Sequence, residues 1–386
     1  MKFETYLLGT LCKRVTSGGT PKSTKPEYYG GDIPWLNTKE INFNRIYATE
    51  RCISKLGLEN SSAKWIMPPA VIVAMYGATA GKVATSFVPL TTNQACCNME
   101  INAEKVDFRF IYYYLKWKYQ ELASLANGGA QQNLSAQLIK EFPVMLPSLV
   151  IQQAIADILW KIDDKIELNQ KINENLERQA QAIFKAWFVD FEPFGGEIPA
   201  NWEWLSFSRF LTASTEKSND PSLPMFSVTD QGILPRNEKF KKNLSMTNSK
   251  YKVVHQTDLV FGMSREILNW GIMRHPIGGV SSAYNVYQVS DQINTFYLES
   301  YMKVHYQYFR DLIRPASREG QGIDKNALMQ KVILMPPQSV LEEYYHMESE
   351  FVRMSRYVLE ESERLAVIRD TLLPKLMAGE IDLPGD

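Results

Sequence analysis

Gly77-Ala78-Thr79-Ala80-Gly81-Lys82-Val83 comes nearer to a catalytic signature than any other stretch of this chain. Two glycines followed by lysine are what a phosphate-cradling loop uses: backbone N–H groups surround the phosphates and the lysine supplies charge. Here the spacing is one residue short, and Val83 stands where a metal-binding hydroxyl is required. Nucleotide binding is therefore not expected. Met67-Pro68-Pro69-Ala70 and Met335-Pro336-Pro337-Gln338 hold the Pro-Pro pair of an amino-methyltransferase site. They lack its preceding Asn or Asp and its following aromatic, and no glycine fingerprint for S-adenosylmethionine stands out. His255, His275, His305 and His346 are too scattered for metal ligation. Cys12, Cys52, Cys96 and Cys97 form neither a zinc pattern nor a disulfide framework. Asp163 and Asp164 lie among Lys161 and Lys165, which predicts solvated ion pairs on a helix surface. No catalytic residue, bound cofactor or metal is expected of this chain.

The bulk properties agree with a non-enzymatic reading and add a charge pattern. Hydrophobic content of 45% and charged content of 22% are those of a soluble globular protein. No apolar run reaches membrane-span length, and Met1-Lys2-Phe3-Glu4-Thr5 lacks a signal-peptide core. With only four irregularly spaced cysteines, a reducing cytoplasm is the expected setting. The 386 residues are too many for one ordinary core and suit two domains with connectors. The formal net charge of −1 hides an alternation. Residues 1–148 carry 16 Lys+Arg against 11 Asp+Glu, and residues 193–337 carry 16 against 13. Residues 149–192 carry 5 against 8, and residues 338–386 carry 5 against 11. A polyanion would favour the two long blocks and avoid the two short ones.

Those blocks repeat. Phe142-Pro143-Val144-Met145-Leu146-Pro147-Ser148 introduces one long helical pattern, and Lys331-Val332-Ile333-Leu334-Met335-Pro336-Pro337 introduces another 189 residues later. A Gly/Gln loop precedes each, at 128–134 and 319–324. Asp32-Ile33-Pro34-Trp35-Leu36 answers Ser222-Leu223-Pro224-Met225-Phe226, and the run 69–75 answers 257–263. Order is kept while most side chains differ, as expected of one scaffold reading two different things.

The stretch 149–188 places Ile151, Ile155, Ile158, Ile162, Ile166, Ile172, Leu176, Ala180, Ile183 and Trp187 at mostly three- and four-residue steps. The stretch 339–373 does the same with Leu341, Tyr344, Phe351, Met354, Val358, Leu365, Ile368 and Leu372, and is predicted to end at Pro374 and Gly379. Two helices of roughly 55–60 Å are expected, pairing antiparallel as a coiled coil. The predicted seam holds Ile162, Leu176 and Ile183, matched through the repeat by Phe351, Leu365 and Leu372. Between the helices, Val71–Tyr76, Leu259–Phe261 and Asn285–Val289 read as strands, and Tyr112–Trp117 and Tyr297–Met302 as helices. The fold class is α+β with a pseudo-two-fold internal repeat. Four parts are expected: 1–148, a central helix in 149–192, 193–337, and a C-terminal helix in 338–386.

Several stretches resemble one family. Ser17-Gly18-Gly19-Thr20-Pro21 and Tyr28-Tyr29-Gly30-Gly31-Asp32-Ile33-Pro34-Trp35 look like the start of a target-recognition domain in specificity subunits of type I restriction–modification enzymes. Ala154-Ile155-Ala156-Asp157-Ile158-Leu159, the run 162–169 and the run 180–191 resemble that family's first spacer helix. Ile198-Pro199-Ala200-Asn201-Trp202 resembles the re-entry into a second recognition domain, and residues 369–381 the end of the second spacer helix. The resemblance covers essentially the whole chain. It implies that 1–148 and 193–337 each read one half of a split DNA target, with the helices as a ruler between them. It also implies docking of two copies of a methyltransferase subunit, which uses S-adenosylmethionine to methylate adenine N6. A motor-nuclease subunit completes the restriction form.

Reading duplex DNA takes cations and small polar groups for phosphates, and polar side chains for base edges. In the first block the candidates are Thr20, Lys22, Asn37, Lys39, Tyr76, Lys82, Asn93, Gln94, Gln131 and Gln132. In the second they are Lys241, Lys242, Arg265, Arg274, Ser281, Ser282, Tyr284, Arg318 and Gln321. Lys82 and Arg265 stand out because each follows a strand-like run ending in Met and a short loop. Two other functions stay open at this point: a coiled-coil adaptor that binds no DNA, and a DNA methyltransferase with unrecognised motifs.

Overall fold

The computed structural model describes residues 2–126, 133–220, 222–236, 251–264, 266–313, 322–381 and 383. The chain forms two compact units, one made of Met1–Lys171 with Tyr357–Asp386 and the other of Ile172–Arg356. No helix among the described residues is long and apolar enough to cross a membrane.

In the first unit, Glu4–Leu7 pairs antiparallel with Pro143–Leu146, so the chain start lies beside the segment that enters the central helix. Next comes a five-stranded sheet in the order Cys12–Ser17, Cys96–Ile101, Ala70–Ala74, Val83–Ser86, Asn44–Ile46. Ala70–Ala74 is central and wholly buried, which explains its unbroken apolar run. The helix Phe108–Trp117 is capped by Asp107, whose side chain accepts from the Arg109 N–H, and it buries Phe110, Tyr112 and Tyr113 in the core.

The second unit repeats this order. Glu203–Ser206 pairs antiparallel with Val332–Met335. Its four-stranded sheet runs Leu211–Ala213, Asn285–Val289, Leu259–Phe261, Trp270–Ile272, which matches the first four strands of the other sheet. The helix Thr295–Val304, capped by Asn294, answers Phe108–Trp117. Even the parallel pairing of Trp35 with Thr91 has an echo in the parallel bridge from Met225 to Gly279. The fold is α+β, with one topology used twice.

The central helix spans Leu149–Phe188 and the C-terminal helix Gln338–Met377, 40 residues each. Within the first unit the contacts run antiparallel: Asp163 meets Arg369, and Asn169 meets Glu361 and Ser362. Within the second unit Asn173 meets Ser355 and Phe184 meets Tyr344, again in opposite chain directions. Leu176 is buried, and Ile162, Ile183, Phe351, Leu365 and Leu372 are half-buried.

Three expectations about the helices fail. Ile158, Met354 and Ile368, read as part of the apolar stripes, are 36%, 48% and 48% exposed. The neighbouring Leu159 is buried, while Ser355 and Arg369 face the opposing helix through Asn173 and Asp163. Reading only apolar residues therefore shifted the seam by one position. Asp163 is not a solvated surface charge: its carboxylate accepts from the Tyr113 hydroxyl (2.6 Å) and from Arg369 (2.8 Å), and its side chain is 13% exposed. Pro374 lies inside the helix, one turn before its end at Met377. Only one intrahelical donor is lost there, and the backbone turns off afterwards at Gly379, where the Glu380 N–H bonds to the Lys375 carbonyl.

Candidate functional site

Polar residues gather where loops leave the sheet of the first unit. Gly18 and Gly19 are required by close approach: a Cβ on Gly18 would lie 2.2 Å from the Thr92 carbonyl, and one on Gly19 2.2 Å from the Ala63 nitrogen. The Trp35 indole N–H donates to the Gly19 carbonyl at 2.9 Å and fixes the turn. Thr20 is thereby held against Gln94, to which its hydroxyl is hydrogen-bonded, and both side chains are exposed, as is Lys22. Asn93 is different. It is buried, and its Oδ1 accepts from the Ala95 N–H and the Cys96 thiol, so it holds a turn. Asn37 is also occupied, in a reciprocal cap with Glu40, while Lys39 is exposed and ion-paired with Glu50.

A second loop follows the central strand. Tyr76 is 40% exposed immediately after buried Met75. Gly81 has φ of +83°, with Ala123 against the space a Cβ would fill, so the loop closes tightly there. Lys82 donates to Asn42 Oδ1 at 2.7 Å and lies 6.0 Å from the Phe43 ring centroid. It leads into the strand Val83–Ser86, so the glycine-lysine stretch has no helix N-terminus to receive a phosphate. Gln131 and Gln132 lie outside the described residues. Asn133 bridges to Tyr76, so the chain just after them runs beside this loop. Asn42 is exposed and adjoins Lys82, yet nothing in its sequence context singled it out. The next residue, Phe43, has a left-handed backbone (φ 56°) that its type does not announce.

In the second unit Lys241, Lys242, Arg265, Arg318 and Gln321 lie outside the described residues. Arg274 is ion-paired with Glu299 and stacked 3.9 Å over the Phe296 ring, so its guanidinium already has partners. Ser281 accepts from the Ala283 N–H in a turn, Ser282 is exposed, and Tyr284 packs on the Phe226–Val254 cluster. Met263, which ends the strand-like run before Arg265, follows Leu259–Phe261 much as Tyr76 follows Ala70–Ala74, and is 38% exposed.

Among the described residues no group of three His, Cys, Asp or Glu side chains is placed to hold a metal ion. Burial raises the Cys12 thiol to about 11 and that of Cys97 to about 12, which keeps both protonated and unreactive at neutral pH. The Trp187, Phe188 and Phe191 cluster packs internally: Phe188 and Phe191 lie on Trp202, and Trp187 on Tyr344.

Each unit is an α+β scaffold with the same order of sheet strands and sheet-packed helix, and small polar loops leave the sheet of the first. The family model for the type I restriction modification DNA specificity domain matches residues 1–178. The type I restriction enzyme MjaIX specificity subunit of Methanocaldococcus jannaschii is 29% identical over 399 residues, spanning 95% of this chain and 91% of that protein. The HindI specificity subunit of Haemophilus influenzae is 33% identical over 122 residues, spanning 31% of this chain and 27% of that protein. The crystal structure of a type I restriction-modification S subunit from M. genitalium shares the fold, with a TM-score of 0.56 at 14% identity over 97% of this chain and 96% of that one. Residues 1–178 thus match the type I restriction modification DNA specificity domain, and nearly the whole chain is similar to a type I restriction enzyme specificity subunit.

Proposed function

We propose that residues 1–148 and 193–337 each read one half of an asymmetric, bipartite double-stranded DNA target. The helices in 149–192 and 338–386 set a fixed non-specific gap between the halves. The observation that carries this reading is the repeated strand and helix order of the two units, with different residues on the corresponding loops. Thr20, Lys22, Gln94, Tyr76 and Lys82 are the first unit's leading contacts, and Ser282 is a further one in the second. Exposed lysines would hold phosphates, and Gln94 has the donor–acceptor pair that suits adenine. Asn93 is withdrawn from the reading surface by its burial.

The chain works in the cytoplasm as the non-catalytic part of an adenine-N6 methylating complex. It holds two copies of a methyltransferase subunit, which carry the S-adenosylmethionine, and a motor-nuclease subunit joins them in the restriction form. The test is binding of the full chain, assembled with its methyltransferase subunit, to a pool of random duplexes at defined salt. Enrichment of two short motifs at constant separation is expected. A single unbroken motif, or uniform binding of all duplexes, would overturn the reading. Inserting four residues into the 155–180 helical seam lengthens that helix by about 6 Å and should change the preferred gap.

A further inference from the structure

The first recognition block is fastened to the central helix by one residue cluster. Arg45, in the short edge strand Asn44–Ile46, has a side chain only 5% exposed. Its guanidinium lies 3.6 Å from the centroid of the Trp160 ring. Nη1 pairs with Asp164, Nε lies 3.3 Å from Glu167 Oε1, and Nη2 donates to the Trp160 carbonyl at 3.1 Å. All three helix residues lie within two turns of one face, so a single planar fork grips the helix at three points. Trp160 is itself boxed in by Phe87, Phe108, Tyr112 and Tyr113, with ring centroids 5.8–6.2 Å away. Tyr47 extends the clamp, its hydroxyl donating to Glu167 at 3.1 Å.

This cluster resists rotation of the block about the helix axis as well as sliding along it. A stacked ring plus three directional contacts fixes an azimuth, which an apolar patch of the same size would not. Azimuth matters for a bipartite target: one added base pair moves a half-site by about 3.4 Å and turns it by about 35°. A helix of fixed length specifies a gap only if the block cannot turn on it by that angle. The repeat does not carry the same clamp, because Ser349, Arg353 and Arg356 stand 189 residues after Trp160, Asp164 and Glu167.

We propose that Arg45, stacked on Trp160 and paired with Asp164 and Glu167, is a positioning residue that sets the rotational register of the first recognition block and so the precision of the gap. The proposal rests on the bipartite reading above. Arg45 touches no base in this role. Its loss should relax gap discrimination while each half-site keeps its base preference, a combination that a merely structural or DNA-contacting residue would not give.

The experiment selects duplexes from a random pool with the full chain in complex with its methyltransferase subunit, comparing wild type, Arg45→Ala, Arg45→Lys and Trp160→Phe. Wild type should return one gap length. Arg45→Ala should return the same two half-sites spread over two or more adjacent gaps, with preference for the original over one base pair longer reduced about tenfold or more. Arg45→Lys keeps the charge but loses the fork, and should fall between. If Arg45→Ala does not fold, Arg45→Lys and Trp160→Phe decide the matter. A single unchanged gap in folded variants would overturn the proposal, as would altered base preference in the first half-site. Failure of wild type to return a bipartite motif would instead overturn the reading on which it rests.

Discussion

Replacing Asp163 with alanine should destabilise the first unit by about 2–3 kcal/mol. The carboxylate is shared: Tyr113 donates to Oδ2 and Arg369 to Oδ1, and the Asp163 and Arg369 side chains are 13% and 17% exposed. Burial, followed by the Asp163 charge, raises the Tyr113 phenol well above its ordinary range, so it remains a donor at every working pH. Removing the carboxylate strands a nearly buried cation and a buried hydroxyl together. Breaking such a pair from one side costs about 3–5 kcal/mol. Arg369 keeps Asp370 on its Nε, which moves the expectation to the lower bound of that range and below. A loss of that size lowers the folding constant roughly 30- to 150-fold. Urea unfolding of the full chain at pH 7 would measure it, with Asp163→Ala, Arg369→Ala and the double variant forming a cycle. A coupling above about 1 kcal/mol is expected between residues in one hydrogen-bonded network. A cost below about 0.5 kcal/mol for Asp163→Ala, with additive single changes, would show that the network does not join the two helices.

Glu348 should make stability fall as pH rises. It stands 189 residues after fully buried Leu159, and its Oε2 is buried with no hydrogen-bond partner among the described residues. Burial first, and the neighbouring Glu299 charge second, raise its carboxyl to about 7. A raised folded value means that its stabilising contribution is complete below the unfolded value, near 4.3, and is lost as pH climbs through about 7. Glu348→Gln should flatten the decline between pH 5 and 8 in urea titrations and exceed wild type at pH 8; an unchanged slope would count against it. Asn169 is 1% exposed, and its Oδ1 has no partner among the described residues, although its amide donates to Glu361 and Ser362. Asn169→Leu should raise the melting temperature by about 2–4 °C, near 1 kcal/mol, while loosening helix register. Lys22→Ala should weaken binding to all duplexes alike and reduce the salt slope by about 0.9 if Lys22 neutralises one phosphate; loss at one sequence only would reassign it to base reading.

The elements most legible in the sequence were those with long periodic patterns. The central helix lies where the patterning put it and the C-terminal helix starts within one residue of it, because burial on one face imposes a period on the residues, while the wholly buried strand Leu259–Phe261 was legible from its unbroken apolar run. The duplication was legible because its offset holds across the segments that enter both helices, at Phe142 and Lys331. The polar half of the helix seam was not. Ser355, Asn169 and Arg369 look like surface residues until the opposing Asn173, Glu361 and Asp163 are brought to them by tertiary packing. The engagement of the candidate contacts was not legible either: Asn37, Asn93 and Arg274 are held by a cap, a turn and an ion pair, and Thr20 and Lys82 by hydrogen bonds to Gln94 and Asn42. A single sequence shows which groups a residue offers; the fold decides which of them are already taken.

Genome-wide mapping of methylated bases in cells expressing this chain with a methyltransferase subunit addresses paired recognition most directly. If two units read one site, every modified base falls within a motif of two different short half-sites at one constant separation. Modification confined to a single contiguous motif, or two half-sites at freely varying distances, would contradict paired recognition across a fixed gap.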